Sequence, residues 1–363
     1  MATDSQGEQT KGSGLPAERP PSGAAPPAHT PPPKRSKTVW RRVRRVLLVF
    51  ALLLALLALT GLLYQSIASA VDASSYPPPG KLIDVGGYRL HLYCTGTGRP
   101  GSPTVILEAG LGSTSLEWSK VQPGVASFTR VCSYDRAGYG WSDTGPLPRT
   151  SGRIVAELHT LLVKAGIPGP YVLVGHSFGG LNVRLYAYTY PQQVAGLVLV
   201  DSSHEEQVRY PELRPTAGGQ LTVCQALSPF GIVRLLGLAN GIAAEYPPTV
   251  QPVVKAQNDQ TRFCQTVNGE YAAWDESSAQ VHTARHPLGR LPLVVLTRGV
   301  EGNFFQGNAG KQVDAAWLAL QKDLASLSTN STQMIATRSG HYIPLDQPDL
   351  VIAAIKQVLT GKV

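Results

Sequence analysis

The chain has 363 residues with 43% hydrophobic side chains, enough for one large domain or two smaller ones. Its net charge of +8 is unevenly spread: residues 1–45 hold nine Lys/Arg against three acids, so six of the eight net positive charges lie there. The remainder is nearly neutral and carries no basic stripe, which argues against nucleic acid as a partner.

Residues 1–45 form a Pro-, Gly- and Ser-rich basic tail with almost no large apolar side chains before Val39. Such a segment buries too little surface to offset its ordering entropy, so disorder is expected there. The cluster Arg41–Arg45 is followed by VLLVFALLLALLALTGLLY, residues 46–64, without a charge. Nineteen helical residues span roughly 28 Å, close to the thickness of a bilayer's hydrocarbon core. Residues 46–68 are therefore expected to cross a lipid bilayer as a single helix. The Arg/Lys cluster stays on the cytoplasmic side and the rest is exported. A signal peptide cleaved near Ala70 is the alternative, because Ala68-Ser69-Ala70 resembles a small-residue cleavage site. Four cysteines, an even number in an exported domain, suggest disulfides.

After a linker at 69–80, apolar strands and amphipathic helices alternate. Strands are expected at 88–96, 104–110, from 130, 171–175, 194–201, 291–299 and 333–341. Helices are expected at 151–165, 179–190, 311–327 and 348–360. Buried strands alternating with helices predict an α/β fold, a mostly parallel sheet with helices on both faces. Ligands in such sheets bind beyond the strands' carboxyl ends, so the chemistry belongs in the loops that follow strands.

Gly175-His176-Ser177-Phe178-Gly179 fits G-x-S-x-G between an apolar strand and a helix, the context that motif requires. The small residues on either side let the helix pack close to the strand, and the turn lifts the Ser177 hydroxyl above the sheet edge. His176 is read as a packing or hydrogen-bonding neighbour. Together, LEAGLG (107–112), YDRAGYGWSD (134–143), GHSFGG (175–180) and SGH (339–341) resemble the α/β-hydrolase superfamily, over about residues 81–360. The order of four motifs is specific for the fold and far less so for the substrate.

That resemblance implies a core at 81–202 and 289–363 with a helical cap or lid inserted at 203–288. It implies Ser177 as nucleophile and His341, after the last strand, as the base that accepts its proton. The oxyanion would be held by the N–H groups of Phe178 and Leu111. Glu108, Asp135 and Arg136 are expected to brace loops near the site. The triad acid is open among three positions. Asp201 ends the strand LVLVD and is favoured; Glu301 and Asp314 follow the penultimate core strand. The resemblance also suggests Cys94–Cys132, on neighbouring strands, and Cys224–Cys264, inside the cap. No metal-ligand spacing or phosphate loop is present, so neither metal nor cofactor is expected. The function read from these residues is cleavage of a carboxylic ester with an apolar part by a membrane-anchored serine hydrolase. Acyl transfer, peptide cleavage and a non-catalytic binding protein are the alternatives. Epoxide hydrolysis and dehalogenation are disfavoured, because relatives with those activities use Asp where this chain has Ser177.

Overall fold

The computed structural model describes residues 37–99, 101–213, 219–299, 307–361 and 363. The expected tail lies outside them up to residue 36. The first element is a helix, α1, Lys37–Ser75. It is longer than the expected 46–68 span at both ends, and the linker expected from residue 69 is helical as far as Ser75. The reason is local: no Gly or Pro interrupts residues 62–76, and the Pro77–Pro79 run then ends the helix, because proline has no amide hydrogen to continue it. It is long and apolar enough to cross a membrane, and its apolar stretch is unburied.

Residues 55–363 form one unit. Its strands are β1 Lys81–Asp84, β2 Arg89–Thr95, β3 Thr104–Glu108, β4 Val131–Tyr134, β5 Tyr171–His176, β6 Val194–Val200, β7 Leu293–Arg298 and β8 Ser331–Ala336. They make one sheet in the order β1-β2-β4-β3-β5-β6-β7-β8. β1 and β2 are antiparallel additions, and the six strands from β4 to β8 run parallel. The core helices are α2 Gln122–Ala126, α3 Ser151–Lys164 and α4 Phe178–Thr189. Between β6 and β7 the cap supplies α5 Gly219–Leu227, α6 Ile232–Leu235, α7 Ala239–Ala244, α8 Gln251–Asn258, α9 Thr261–Ala272 and α10 Trp274–Ala284. The chain closes with α11 Gly307–Ala325, α12 Ile343–Asp346 and α13 Pro348–Leu359.

The central strands are buried at nearly every position and predominantly apolar because both faces are covered. Leu173, Leu197 and Leu199 pack with α3 and α4 on one side. Val172, Val174, Val198 and Val200 pack with Val351, Ile355 and Val358 of α13 on the other. The cap contributes no strand among its described residues. Cys94 opposite Cys132 joins β2 to β4, and Cys224–Cys264 joins α5 to α9.

Candidate active site

β5 ends at His176 and α4 begins at Phe178, so the whole turn is Ser177. Its φ of 51° and ψ of −122° lie where a non-glycine residue is strained. The flanking glycines make the turn sterically feasible. A Cβ on Gly175 would fall 2.6 Å from the Gly179 carbonyl oxygen, and one on Gly179 would fall 2.6 Å from that of Glu108. Strand and helix meet so closely that no side chain fits between them.

His341 follows β8 and precedes α12. Its Nε2 is 2.9 Å from Ser177 Oγ, and its Nδ1 is 2.6 Å from Asp201 Oδ2. Asp201 follows β6 directly with a φ of 39°, a second strained non-glycine residue at the same sheet edge. The three residues expected from sequence to carry the chemistry thus form one chain, Ser177–His341–Asp201. Glu301 lies outside the described residues. Asp314 points elsewhere: its Oδ1 is 3.3 Å from Arg298 Nη2.

Asp201 is fully buried and holds more than the imidazole. Its Oδ1 accepts from Trp317 Nε1 at 2.8 Å and the Arg298 amide at 3.1 Å; Arg298 Nη1 lies 3.3 Å from Oδ2. Burial works against its charge, but the His341 hydrogen bond, the imidazole and Arg298 outweigh it and hold the carboxyl below its ordinary range. A carboxylate facing Nδ1 fixes the hydrogen there, which leaves Nε2 as acceptor for the serine proton. His341 itself is held below the ordinary histidine range. Burial is the main cause, the neighbouring His176 and Arg298 add to it, and Asp201 opposes it.

A second buried pair supports this chain. His176 Nδ1 is 2.7 Å from Glu117 Oε1, and its Nε2 is 2.8 Å from the His341 carbonyl oxygen. Both ring nitrogens face acceptors, an arrangement only the doubly protonated imidazole satisfies. Burial pulls the His176 pKa down, but the Glu117 charge and hydrogen bond prevail and raise it. The other Glu117 oxygen accepts from the Gly110 amide at 2.9 Å. One carboxylate thus ties the loop after β3, the residue before Ser177 and the backbone of His341.

In that loop the Gly110 amide is taken by Glu117 and the Gly112 amide by the Tyr139 hydroxyl. The Leu111 amide has no hydrogen-bond partner among the described residues, and neither has that of Phe178, the first residue of α4. Arg136 fixes the loop from below by donating to the carbonyls of Ala109 at 2.7 Å and Gly110 at 2.8 Å. It also pairs with Glu108 and with Glu270 of α9, so core and cap share one buried cation. Asp135 accepts from the Ser115 amide at 2.6 Å and faces His91 Nδ1 at 2.8 Å. Sequence reasoning missed Glu117, Glu270, Arg298 and Trp317. None sits in a motif, and only the fold brings them to the site.

A cavity of about 930 Å³ opens beside these groups. Leu111, Ser113 and Tyr342 line it from the core, and Leu238, Ile242 and Phe263 from the cap. The Tyr342 ring lies 5.7 Å from that of His341. Among the described residues no cluster of three or more His, Cys, Asp or Glu side chains is placed to hold a metal ion.

Sheet order, nucleophile-type turn and late histidine together define the α/β-hydrolase class. Residues 103–222 match the family profile described as "alpha/beta hydrolase fold". The chain has the α/β-hydrolase fold, and the match to that family's profile covers about a third of it. It is 36% identical over 137 residues to "probable transporter efuK" of Hormonema carpetanum, covering 36% of this chain and 19% of that one. It is 26% identical over 255 residues to the uncharacterized protein YqjL of Bacillus subtilis (strain 168), covering 70% and 83%. Two solved structures share the fold. The enol-lactonase from Burkholderia xenovorans LB400 has a TM-score of 0.54 at 18% identity, covering 77% of this chain and 100% of that one. The epoxide hydrolase CorEH has 0.55 at 17%, covering 77% and 98%.

Proposed function

We propose that the protein is a membrane-anchored serine hydrolase that cleaves a carboxylic ester through an acyl-enzyme on Ser177. The observation that carries this reading is the unbroken path from Ser177 Oγ through both ring nitrogens of His341 to the buried Asp201 carboxylate. In the proposed cycle Ser177 Oγ attacks the ester carbonyl carbon as its proton passes to His341 Nε2. The carbonyl π electrons move onto oxygen, where the Phe178 and Leu111 amides stabilise the charge. Collapse of the tetrahedral intermediate expels the alkoxide, which takes the proton from His341 and leaves as the alcohol. Water then gives a proton to Nε2 and attacks the acyl-enzyme; its collapse returns the acid and restores the Ser177 hydroxyl. Asp201 keeps the imidazole in the required tautomer and stabilises its cation.

A serine at this turn favours ester over epoxide chemistry, despite the shared fold with CorEH. One protein of the same fold is an enol-lactonase, whose name denotes a cyclic ester as substrate. The predominantly apolar cavity favours an acyl or alcohol part that is itself apolar. The apolar stretch of α1 serves as a single-pass anchor with Arg41–Arg45 on the cytoplasmic side and the hydrolase domain outside. Retention of the anchor is supported by Gln65, which is buried and donates from Nε2 to the Asp259 carbonyl at 2.7 Å. A cut near Ala70 would remove that contact.

The test is a panel of p-nitrophenyl esters, from acetate to palmitate, with full-length protein in detergent micelles. Hydrolysis that falls by at least about 10³-fold in Ser177→Ala supports the reading. Turnover that survives the substitution refutes it.

A further inference from the structure

Resting on that reading, we infer that the cap segment 231–244 sits in the membrane surface and that the cavity takes its ester from the lipid phase. The segment reads GIVRLLGLANGIAA, fourteen residues with a single charge, Arg234. It folds as the short helices α6 and α7. Leu235, Leu236 and Leu238 are 68%, 65% and 56% exposed, and Ile242 is 44% exposed. Four large aliphatic side chains turned outward within eight residues make a patch rather than the scattered exposure usual on a soluble surface.

The occupant of this face follows from what holds the segment. α6 is fixed to the C-terminal part of α1. A Cβ on Gly61 would fall 2.7 Å from the Phe230 carbonyl oxygen, and one on Gly231 would fall 2.6 Å from the Tyr64 ring. Arg234, the one charge, turns to α1: its Nη2 pairs with Asp72 at 2.7 Å and its Nε donates to Gln65 at 3.4 Å. Its side chain is only 13% exposed, so within 231–244 no charged side chain faces outward; the exposed Glu245 follows at the segment's end. The contacts begin at Gly61 and Tyr64, where the apolar run ends, and continue through Gln65 to Asp72. The segment is thereby anchored at the depth where the helix leaves the hydrocarbon, the level at which interfacial amphipathic segments bury their apolar side chains.

Leu238 and Ile242 belong both to this face and to the wall of the cavity, whose other wall is Leu111 and Tyr342 beside the site. On the cap side the cavity wall is mostly aliphatic and aromatic, with Glu245 and Asn258 its polar members. It fits an ester with a long acyl or alkyl chain dissolved in the leaflet better than a water-soluble one.

The experiment uses full-length protein in phosphatidylcholine vesicles, with p-nitrophenyl acetate as the soluble substrate and p-nitrophenyl palmitate dissolved in the bilayer. Leu235 and Leu236 do not line the cavity. Leu235→Glu/Leu236→Glu is expected to slow palmitate hydrolysis by roughly tenfold while acetate hydrolysis stays within about twofold of the parent. Equal rates on both substrates overturn the inference. So does a parallel loss on both, which would place the two leucines in the integrity of the cap. Independently, a nitrobenzoxadiazole probe on Leu236→Cys is expected to be quenched by lipids carrying a nitroxide on the acyl chain. A probe shielded from those lipids overturns the inference in favour of a protein partner or a second copy, and a probe in water overturns it outright. If the parent hydrolyses neither ester, the enzymatic reading fails, while probe quenching still reports the membrane seat separately.

Discussion

Replacing Asp201 by Asn keeps the shape of the site and reverses one hydrogen bond. Asp201 Oδ1 faces two donors, Trp317 Nε1 and the Arg298 amide. The asparagine carbonyl must take that place, so its NH₂ group points at His341 Nδ1. That nitrogen can then only accept, and the ring hydrogen moves to Nε2, where it faces Ser177 Oγ instead of receiving its proton. The negative charge that stabilises the imidazolium is lost as well. A tautomer reversal of this kind in a serine triad costs about 10⁴-fold in kcat. That corresponds to roughly 5.5 kcal/mol of transition-state stabilisation. The assay is kcat/KM on a p-nitrophenyl ester, with circular dichroism to confirm an unchanged fold. Asp314→Asn is the control. Its Oδ1 reaches only Arg298, in a partly exposed pair, and the expected loss is less than about threefold. An Asp201→Asn enzyme within tenfold of the parent, or a larger loss in Asp314→Asn, would refute the reasoning.

The pH profile follows from the histidine pair. Ser177 needs neutral His341, whose pKa is lowered, so the acidic limb of kcat/KM should lie below the ordinary histidine range. Glu117→Gln removes the charge that keeps His176 cationic despite its burial. With His176 neutral, the repulsion on His341 falls and its pKa rises, so the limb should move to higher pH; no shift, or a shift to lower pH, counts against the coupling. Cys94 and Cys132 are 38 residues apart in sequence, and loop closure of that length corresponds to as much as about 4 kcal/mol. Cys94→Ser/Cys132→Ser should lose about 2–4 kcal/mol in denaturant unfolding; a loss below about 0.5 kcal/mol would show that the bond does not restrain the unfolded chain.

The legible parts were those where local physics leaves few options. Apolar runs such as YVLVG and LVLV signal burial on both faces, and both lie among the parallel strands at the centre of the sheet. Ser177 stood out because a strand, a turn between glycines and a helix follow one another without a break. β1 was missed because KLID is too short to show a period and gains its order from pairing with β2. The helix extension to Ser75 was missed because Ser, Val and Asp at 69–75 are weak helix formers, and Asp72 finds its partner only in the cap. The supporting groups were invisible for the same reason. Glu117 lies 59 residues before His176, and Trp317 lies 116 after Asp201, separations that carry no periodic signal.

An activated hydroxyl at position 177 is the centre of the proposed chemistry, and a fluorophosphonate probe measures it directly. Full-length protein treated with the probe and mapped by peptide mass spectrometry should carry one label, on Ser177. The label should be absent in Ser177→Ala and strongly slowed in His341→Ala. Folded parent protein that stays unlabelled, or takes the label on another residue, would contradict it.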